Sequence, residues 1–167
     1  MSERRIRKDL MDAIPGWEDG TEKENLDVEW EALERTLSSC GVVLDEKSKV
    51  LEVGSGKGVF LEFLKKRRIN VVGVDIRPRD NKAGVQVQAR VEGLPFADGE
   101  FDLVYSSQAF DVVQYFQDQV AMLNEISRVL KQGGIYIGSA ESISAQSPTS
   151  LKKMDAKLMF KDVYKKA

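Results

Sequence analysis

The sequence has 167 residues, of which 42% are hydrophobic and 31% charged, and a formal net charge of -2. This length fits one domain, and this composition is typical of a folded protein in water rather than of a disordered or membrane-embedded chain. No apolar run approaches the roughly 18 residues of a membrane span, and the charged first ten residues lack the apolar core of a secretion signal, so we expect a cytoplasmic protein.

The residue types that are missing exclude several kinds of chemistry. The chain has no histidine and one cysteine, Cys40, so it lacks the commonest transition-metal ligand and cannot form an intramolecular disulfide. We therefore expect no metal site and no histidine-dependent catalytic triad. The net charge also gives no overall attraction to nucleic acid, and a nucleic-acid partner is not expected.

The amino-terminal part divides into an arm and a helix. Residues 1–26 show no sustained hydrophobic period and are predicted to form an arm. From residue 27 to 40 apolar side chains recur at helical spacing, which predicts an amphipathic helix with Asp27 as its N-cap and Gly41 as its C-cap.

A strand, a glycine-rich turn, a helix and a second strand are predicted next. Residues 49–53 (KVLEV) lead into the turn at 54–58 (GSGKG), and a helical period covers 59–68. The following apolar run, 70–76 (NVVGVDI), contains Asp75 near its end and is typical of a buried parallel strand.

Three further strands are predicted, at 85–89, Phe101–Ser106 and 135–140, with a helix at 118–130 that ends at Gly133-Gly134. This alternation predicts an α/β protein, a Rossmann-like three-layer sandwich with a mostly parallel sheet of order 3-2-1-4-5.

The glycine turn is expected at the carboxyl ends of the strands, where open α/β sheets bind ligands. Its G-x-G-x-G spacing differs from the G-x-G-x-x-G of dinucleotide sites, and Glu52 precedes it. A carboxylate there would repel a diphosphate but suits S-adenosylmethionine, which has no phosphate and carries a cationic sulfonium and ammonium. Asp75, about 20 residues further on, can accept hydrogen bonds from two ribose hydroxyls. NAD enzymes use the same device, and a ligand-free turn with a capping acid is a further alternative.

Four segments together resemble the class I S-adenosylmethionine-dependent methyltransferases in their order and spacing. They are 51–58 (LEVGSGKG), 72–76 (VGVDI), 94–106 (LPFADGEFDLVYS) and 125–134 (EISRVLKQGG). The resemblance covers roughly residues 27–140. Within the class, the chain is similar to the family that includes the ubiquinone and menaquinone biosynthesis methyltransferases.

This resemblance implies S-adenosylmethionine as the cofactor and assigns residues to four parts of that molecule. The implied contacts are Glu52, Gly54, Ser55 and Gly56 at the methionine moiety, Asp75 at the ribose, Ile76, Arg90 and Val91 around the adenine, and Ser106 and Gln108 near the transferring methyl group. Arg90 stands where the family usually has an acid that accepts from the adenine amino group, and Glu92 is the expected substitute.

The chain also departs from the family's pattern in two features of its architecture. Only nine residues separate Asp75 from Val85, fewer than a helical crossover needs. After residue 140, 27 residues remain. We expect a core domain at 27–141 that is truncated at its carboxyl end, followed by a linker and a lysine-rich helix within 142–167. The family's terminal antiparallel strand pair would then be absent, and the exposed fifth strand would bind a second copy or a protein partner.

Methyl transfer from a sulfonium is an in-line displacement that needs alignment and desolvation more than a dedicated catalytic residue. Asp111 is a candidate base, with a solvated loop acid or helix cap as the alternative. Ser106-Ser107-Gln108-Ala109 stands where an N-P-P-[YF] signature would lie, which disfavours DNA bases and glutamine side chains as acceptors. The predicted function is methyl transfer to a small molecule, with a catalytically reduced scaffold protein acting beside a partner as the alternative.

Overall fold

A computed structural model describes residues 26–77, 85–106, 116–138, 151–158 and 161–167. Helices and strands alternate in its first part, and strands alone make up its end. The helices are α1 (Leu26–Ser39), α2 (Val59–Lys66) and α3 (Phe116–Val129). The strands are β1 (Lys49–Val53), β2 (Asn70–Asp75), β3 (Gln86–Gln88), β4 (Phe101–Ser106), β5 (Leu130–Gly138), β6 (Leu151–Leu158) and β7 (Lys161–Lys166). Among these described helices, none has the length and apolar character to cross a bilayer.

The described strands form one sheet in the order β3-β2-β1-β4-β5-β7-β6. Strands β1 to β5 pair in parallel, and β7 runs antiparallel to both β5 and β6. The predicted fold class and the order 3-2-1-4-5 are confirmed. The carboxyl ends of β1, β2 and β4 therefore lie side by side at one edge of the sheet.

Helices cover both faces of this sheet and create two apolar layers. Leu33 of α1 and Leu61 of α2 pack with Leu103 on one face. On the other face Leu123 and Ile126 of α3 belong to the second core cluster. Burial on both faces explains why the central strands read as almost continuous apolar runs.

The carboxyl-terminal prediction is wrong. Residues 151–158 and 161–166 form the antiparallel strands β6 and β7 rather than a lysine-rich helix, so the terminal strand pair is present and the sheet extends beyond residue 141. The neighbours Val163 and Tyr164 are both fully buried and belong to opposite core layers, which requires an extended backbone. Because β7 pairs with β5, the predicted partner site at an exposed fifth strand is also wrong.

Helix α1 begins one residue before its expected N-cap. Asp27 lies in the first turn, and its carboxylate accepts a hydrogen bond from Arg67 Nη2 at 2.8 Å. The Arg67 guanidinium also stacks on Phe63, 3.6 Å from the ring centroid, and thus links α1 to the end of α2. Gly41 has a φ of 74°, as a glycine C-cap does.

Gly133 and Gly134 belong to a strand irregularity rather than to a helix end. Helix α3 stops at Val129, and β4 pairs with β5 first at Phe101 and Leu130 and then, after a register shift, at Leu103 and Ile135. Gly133 has a φ of 75° within the extra residues of β5. The two glycines therefore permit a bulge, a role that a helix-ending pattern does not distinguish.

Candidate cofactor site

The loop after β1 contains three glycines with positive φ values, a backbone conformation that only glycine adopts without strain. Gly54, Gly56 and Gly58 have φ values of 74°, 49° and 71°. The Gly54 N–H donates to Val74 O at 2.8 Å, which ties the loop to the end of β2. The loop backbone therefore lies at the carboxyl edge of the sheet, as predicted.

Asp75 faces this loop. Its Oδ2 accepts from the Gly56 N–H at 2.9 Å, and its Oδ1 accepts from the Arg77 N–H at 2.8 Å. A carboxylate oxygen can accept more than one hydrogen bond, so both oxygens can also accept from the vicinal hydroxyls of a ribose. This geometry fits an adenosyl cofactor whose sugar lies beside the glycine loop.

Ser55 is anchored beneath the loop by two residues that the sequence analysis missed. Gln86 Nε2 donates to Ser55 Oγ at 2.8 Å and to Gly56 O at 2.9 Å. Gly73 leaves the space for this contact, because a Cβ atom at position 73 would lie 2.6 Å from Ser55 Oγ and 2.5 Å from Leu61 Cδ1. A glycine inside a predicted strand often marks such a close approach, and this signal was available in the sequence.

Replacing Gly73 with alanine should lower the free energy of unfolding by about 1–3 kcal/mol, because the added methyl group overlaps Ser55 and Leu61 in a packed interior. Urea denaturation measures this loss. Gly93→Ala is the matched control, since a Cβ atom at position 93 would meet nothing within 4 Å. Equal stability of the two variants would contradict the packing described.

Two buried polar side chains lie at the ends of the adjoining strands. Glu52 of β1 is 5% exposed, and Ser106 at the end of β4 is fully buried and pairs in register with Val53. Among the residues that the structure describes, the Ser106 hydroxyl has no hydrogen-bond partner. Buried hydroxyls are normally paired, so Ser106 is available to a group bound at this edge.

The residues predicted to surround the adenine follow the carboxyl ends of β2 and β3. Arg90 Nη2 donates to Glu92 Oε1 at 2.7 Å, so the position that usually holds an acid carries an ion pair here. Val91 is half-buried against the second core layer. Ile76 is also half-buried, and its carbonyl accepts from Gln88 Nε2 at 3.0 Å.

Gln108 and Asp111 lie outside the described residues, so their assigned roles stay predictions. Within the described part of the chain, no cluster of three or more histidine, cysteine, aspartate or glutamate side chains is arranged to hold a metal ion.

An ionic network holds residues 94–98, the segment that precedes β4. Arg128 donates to Leu94 O, Phe96 O and Asp98 Oδ1, each at 2.8 Å. Glu125 accepts from the Leu94 N–H and from Arg128, and these hydrogen bonds, that of Arg128 first, hold its pKa below the ordinary value despite partial burial. The same partners raise the pKa of Arg128.

Comparison with known proteins agrees with this geometry. The family described as a methyltransferase domain matches residues 51–138. An uncharacterized methyltransferase of Mycobacterium sp. (strain JLS) is 38% identical over 95 residues, which are 53% of this chain and 36% of that protein. A malonyl-[acyl-carrier protein] O-methyltransferase of Hamiltonella defensa is 30% identical over 112 residues, 63% of this chain and 42% of the relative. The chain thus spans less than half the length of these relatives.

Solved structures share the fold. The N-methyltransferase NodS from Bradyrhizobium japonicum, in complex with S-adenosylhomocysteine, superposes with a TM-score of 0.67 at 13% identity and 97% coverage of each chain. A 1,6-didemethyltoxoflavin-N1-methyltransferase from Burkholderia thailandensis gives 0.68 at 14% identity, covering 97% of this chain and 87% of the other. With its methyltransferase-domain match and this sheet order, the chain belongs to the class I S-adenosylmethionine-dependent methyltransferase family.

Proposed function

We propose that the protein binds S-adenosylmethionine at the carboxyl ends of β1, β2 and β4 and transfers the methyl group to a small-molecule acceptor. The observation that carries this proposal is the Asp75 carboxylate, held against the glycine loop by the 2.9 Å hydrogen bond from the Gly56 N–H. In a methyltransferase family member, a carboxylate in this position suits the two ribose hydroxyls of the cofactor.

Different described residues would contact different parts of S-adenosylmethionine. The backbone of 54–56 would lie against the methionine moiety, with the buried Glu52 carboxylate nearby to favour its positive charge. Ile76 and Val91 would pack on the adenine, and the Glu92 carboxylate, paired with Arg90, would serve as the acceptor for its amino group.

When bound, S-adenosylmethionine supplies an electrophilic methyl group on its sulfonium. The chain then has to align the acceptor and exclude water, and the buried Ser106 hydroxyl is suited to orienting a polar group near the transfer point. Asp111 is our proposed base for acceptors that must lose a proton.

A small molecule is the proposed acceptor class because residues 106–109 lack the N-P-P-[YF] signature and because one of the relatives is named for small-molecule acceptors. That relative is a sarcosine/dimethylglycine N-methyltransferase of Halorhodospira halochloris, 32% identical over 115 residues. We do not propose the scaffold alternative, which was based on the short crossover, on Arg90 and on an absent terminal strand pair, since that strand pair is present as β6 and β7. We also propose a cytoplasmic location, which suits a chain whose single cysteine is free and buried.

Titration calorimetry with S-adenosylmethionine and S-adenosylhomocysteine tests the proposal on the full chain. We expect one site with micromolar affinity for both compounds. Mass spectrometry of a panel of amines, carboxylates and quinols, incubated with the protein and a deuterated methyl donor, then identifies the acceptor class. No detectable binding of either compound to the folded protein would overturn the proposal.

A further inference from the structure

We propose that Gln86 is a positioning residue that fixes the glycine loop in its cofactor-binding conformation; this inference rests on the proposed function. Gln86 lies on β3, one of the two edge strands of the described sheet, and its side-chain amide reaches across β2 to the loop after β1. It bonds the loop at two points, Ser55 Oγ and Gly56 O.

The result is that both polar groups of Gly56 are held from outside the loop. Its N–H donates to Asp75 Oδ2 at 2.9 Å, and its carbonyl accepts from Gln86 Nε2 at 2.9 Å. Glycine loses more conformational freedom on ordering than other residues, so a loop of three glycines is costly to order when a ligand binds. Bonds that order the loop beforehand remove part of this cost from the binding step.

The neighbouring residues explain why a glutamine suits this position. Gln86 pairs in register with Gly73, and the Ser55 hydroxyl occupies the space that a side chain at position 73 would fill. A single Nε2 group carries two N–H donors, and here it bonds two acceptors. A glutamate of the same shape has no N–H to donate, and a leucine has neither donor nor acceptor.

Three variants test this assignment. Gln86→Leu and Gln86→Glu remove the donors with different shapes and charges, and Gln132→Leu is the matched control, an exposed glutamine on β5. For each, the dissociation constant for S-adenosylhomocysteine is measured by calorimetry well below the unfolding temperature. The exchange rate of the Gly56 amide hydrogen is measured by NMR without ligand and compared with the rates of the buried β1 amides, because faster exchange confined to Gly56 reports a loss of loop ordering, whereas a general loss of stability raises both.

We expect about tenfold weaker binding for Gln86→Leu, from the loss of two hydrogen bonds. Gln86→Glu should lose more, because its carboxylate would face the Gly56 carbonyl. The Gly56 amide should exchange faster in both, and Gln132→Leu should match the unmodified protein. If the unmodified protein binds S-adenosylhomocysteine and both Gln86 variants bind it as tightly as the unmodified protein does, the proposed role of Gln86 is wrong and the proposed function stands. If the unmodified protein does not bind, the proposed function fails and the inference fails with it.

Discussion

Replacing Asp75 with alanine is expected to weaken S-adenosylhomocysteine binding by at least about 100-fold, the largest effect on binding that we predict for one side chain. The change removes the acceptors for two ribose hydroxyls, and hydrogen bonds to a charged group contribute more than neutral ones. It also removes the acceptor of the Gly56 N–H, which orders the loop. Calorimetric titration of the purified variant measures the loss.

Two control variants distinguish the effect of the Asp75 charge on binding from a general effect of removing an acidic side chain. Asp75→Asn keeps one carbonyl acceptor and the shape, so we expect an intermediate loss of about tenfold. Glu46→Ala removes an acid whose ion pair with Arg68 is largely exposed, and it should leave binding unchanged. Binding of Asp75→Ala at the affinity of the unmodified protein would show that the ribose lies elsewhere.

Replacing Arg128 with methionine is expected to lower the free energy of unfolding by about 3–4 kcal/mol, because it leaves partly buried acceptors without their donor. Leu94 O and Phe96 O lose the Arg128 donor, and the carboxylate of Glu125 keeps only its hydrogen bond from the Leu94 N–H. Urea denaturation measures the loss, with Arg68→Ala as the control for an exposed ion pair, which should cost less than about 1 kcal/mol. A loss for Arg128→Met no larger than that of the control would contradict this role.

The difference in unfolding free energy between the unmodified protein and Arg128→Met should depend on pH. Because Arg128 holds the pKa of Glu125 below its ordinary value in the folded state, the pair contributes stability above the unfolded-state pKa of Glu125, near 4.5. That contribution is lost as the pH falls through the lower pKa of the folded state. The stability difference between the unmodified protein and Arg128→Met should therefore narrow in acid.

The central part of the fold and site could be predicted because its signals are local. Buried parallel strands give continuous apolar runs, and a glycine turn followed at the next strand end by Asp75 is a short-range pattern. The predicted strands and the facing of Asp75 toward the loop agree with the structure. These features depend on residues within about 25 positions of each other.

The carboxyl-terminal strands could not be predicted in the same way because their signal is non-local. Leu151, Met154 and Leu158 also fit a helical spacing, and no local rule reveals that β7 pairs with β5. In the assembled sheet Tyr164 is fully buried and stacks on Tyr136, with ring centroids 5.9 Å apart. That contact exists only once the sheet is assembled, so tertiary packing overrides the local pattern.

Gln86 lay inside a predicted strand, where a polar residue in an alternating pattern indicates only a solvent-facing position. Its role depends on the absence of a side chain at Gly73 in the neighbouring strand and on the position of the loop beyond it. The contact forms only when β2, β3 and the loop after β1 are assembled in the folded protein. The sequence therefore predicts the glycine loop but not the glutamine that hydrogen-bonds to it.

A crystal structure of the full chain with S-adenosylhomocysteine would show directly where the ribose of the cofactor lies. We predict both ribose hydroxyls within hydrogen-bonding distance of the Asp75 carboxylate and the homocysteine moiety against the backbone of residues 54–56. A ligand bound away from the glycine loop, or a ribose that makes no contact with Asp75, would show that the cofactor site has been assigned wrongly.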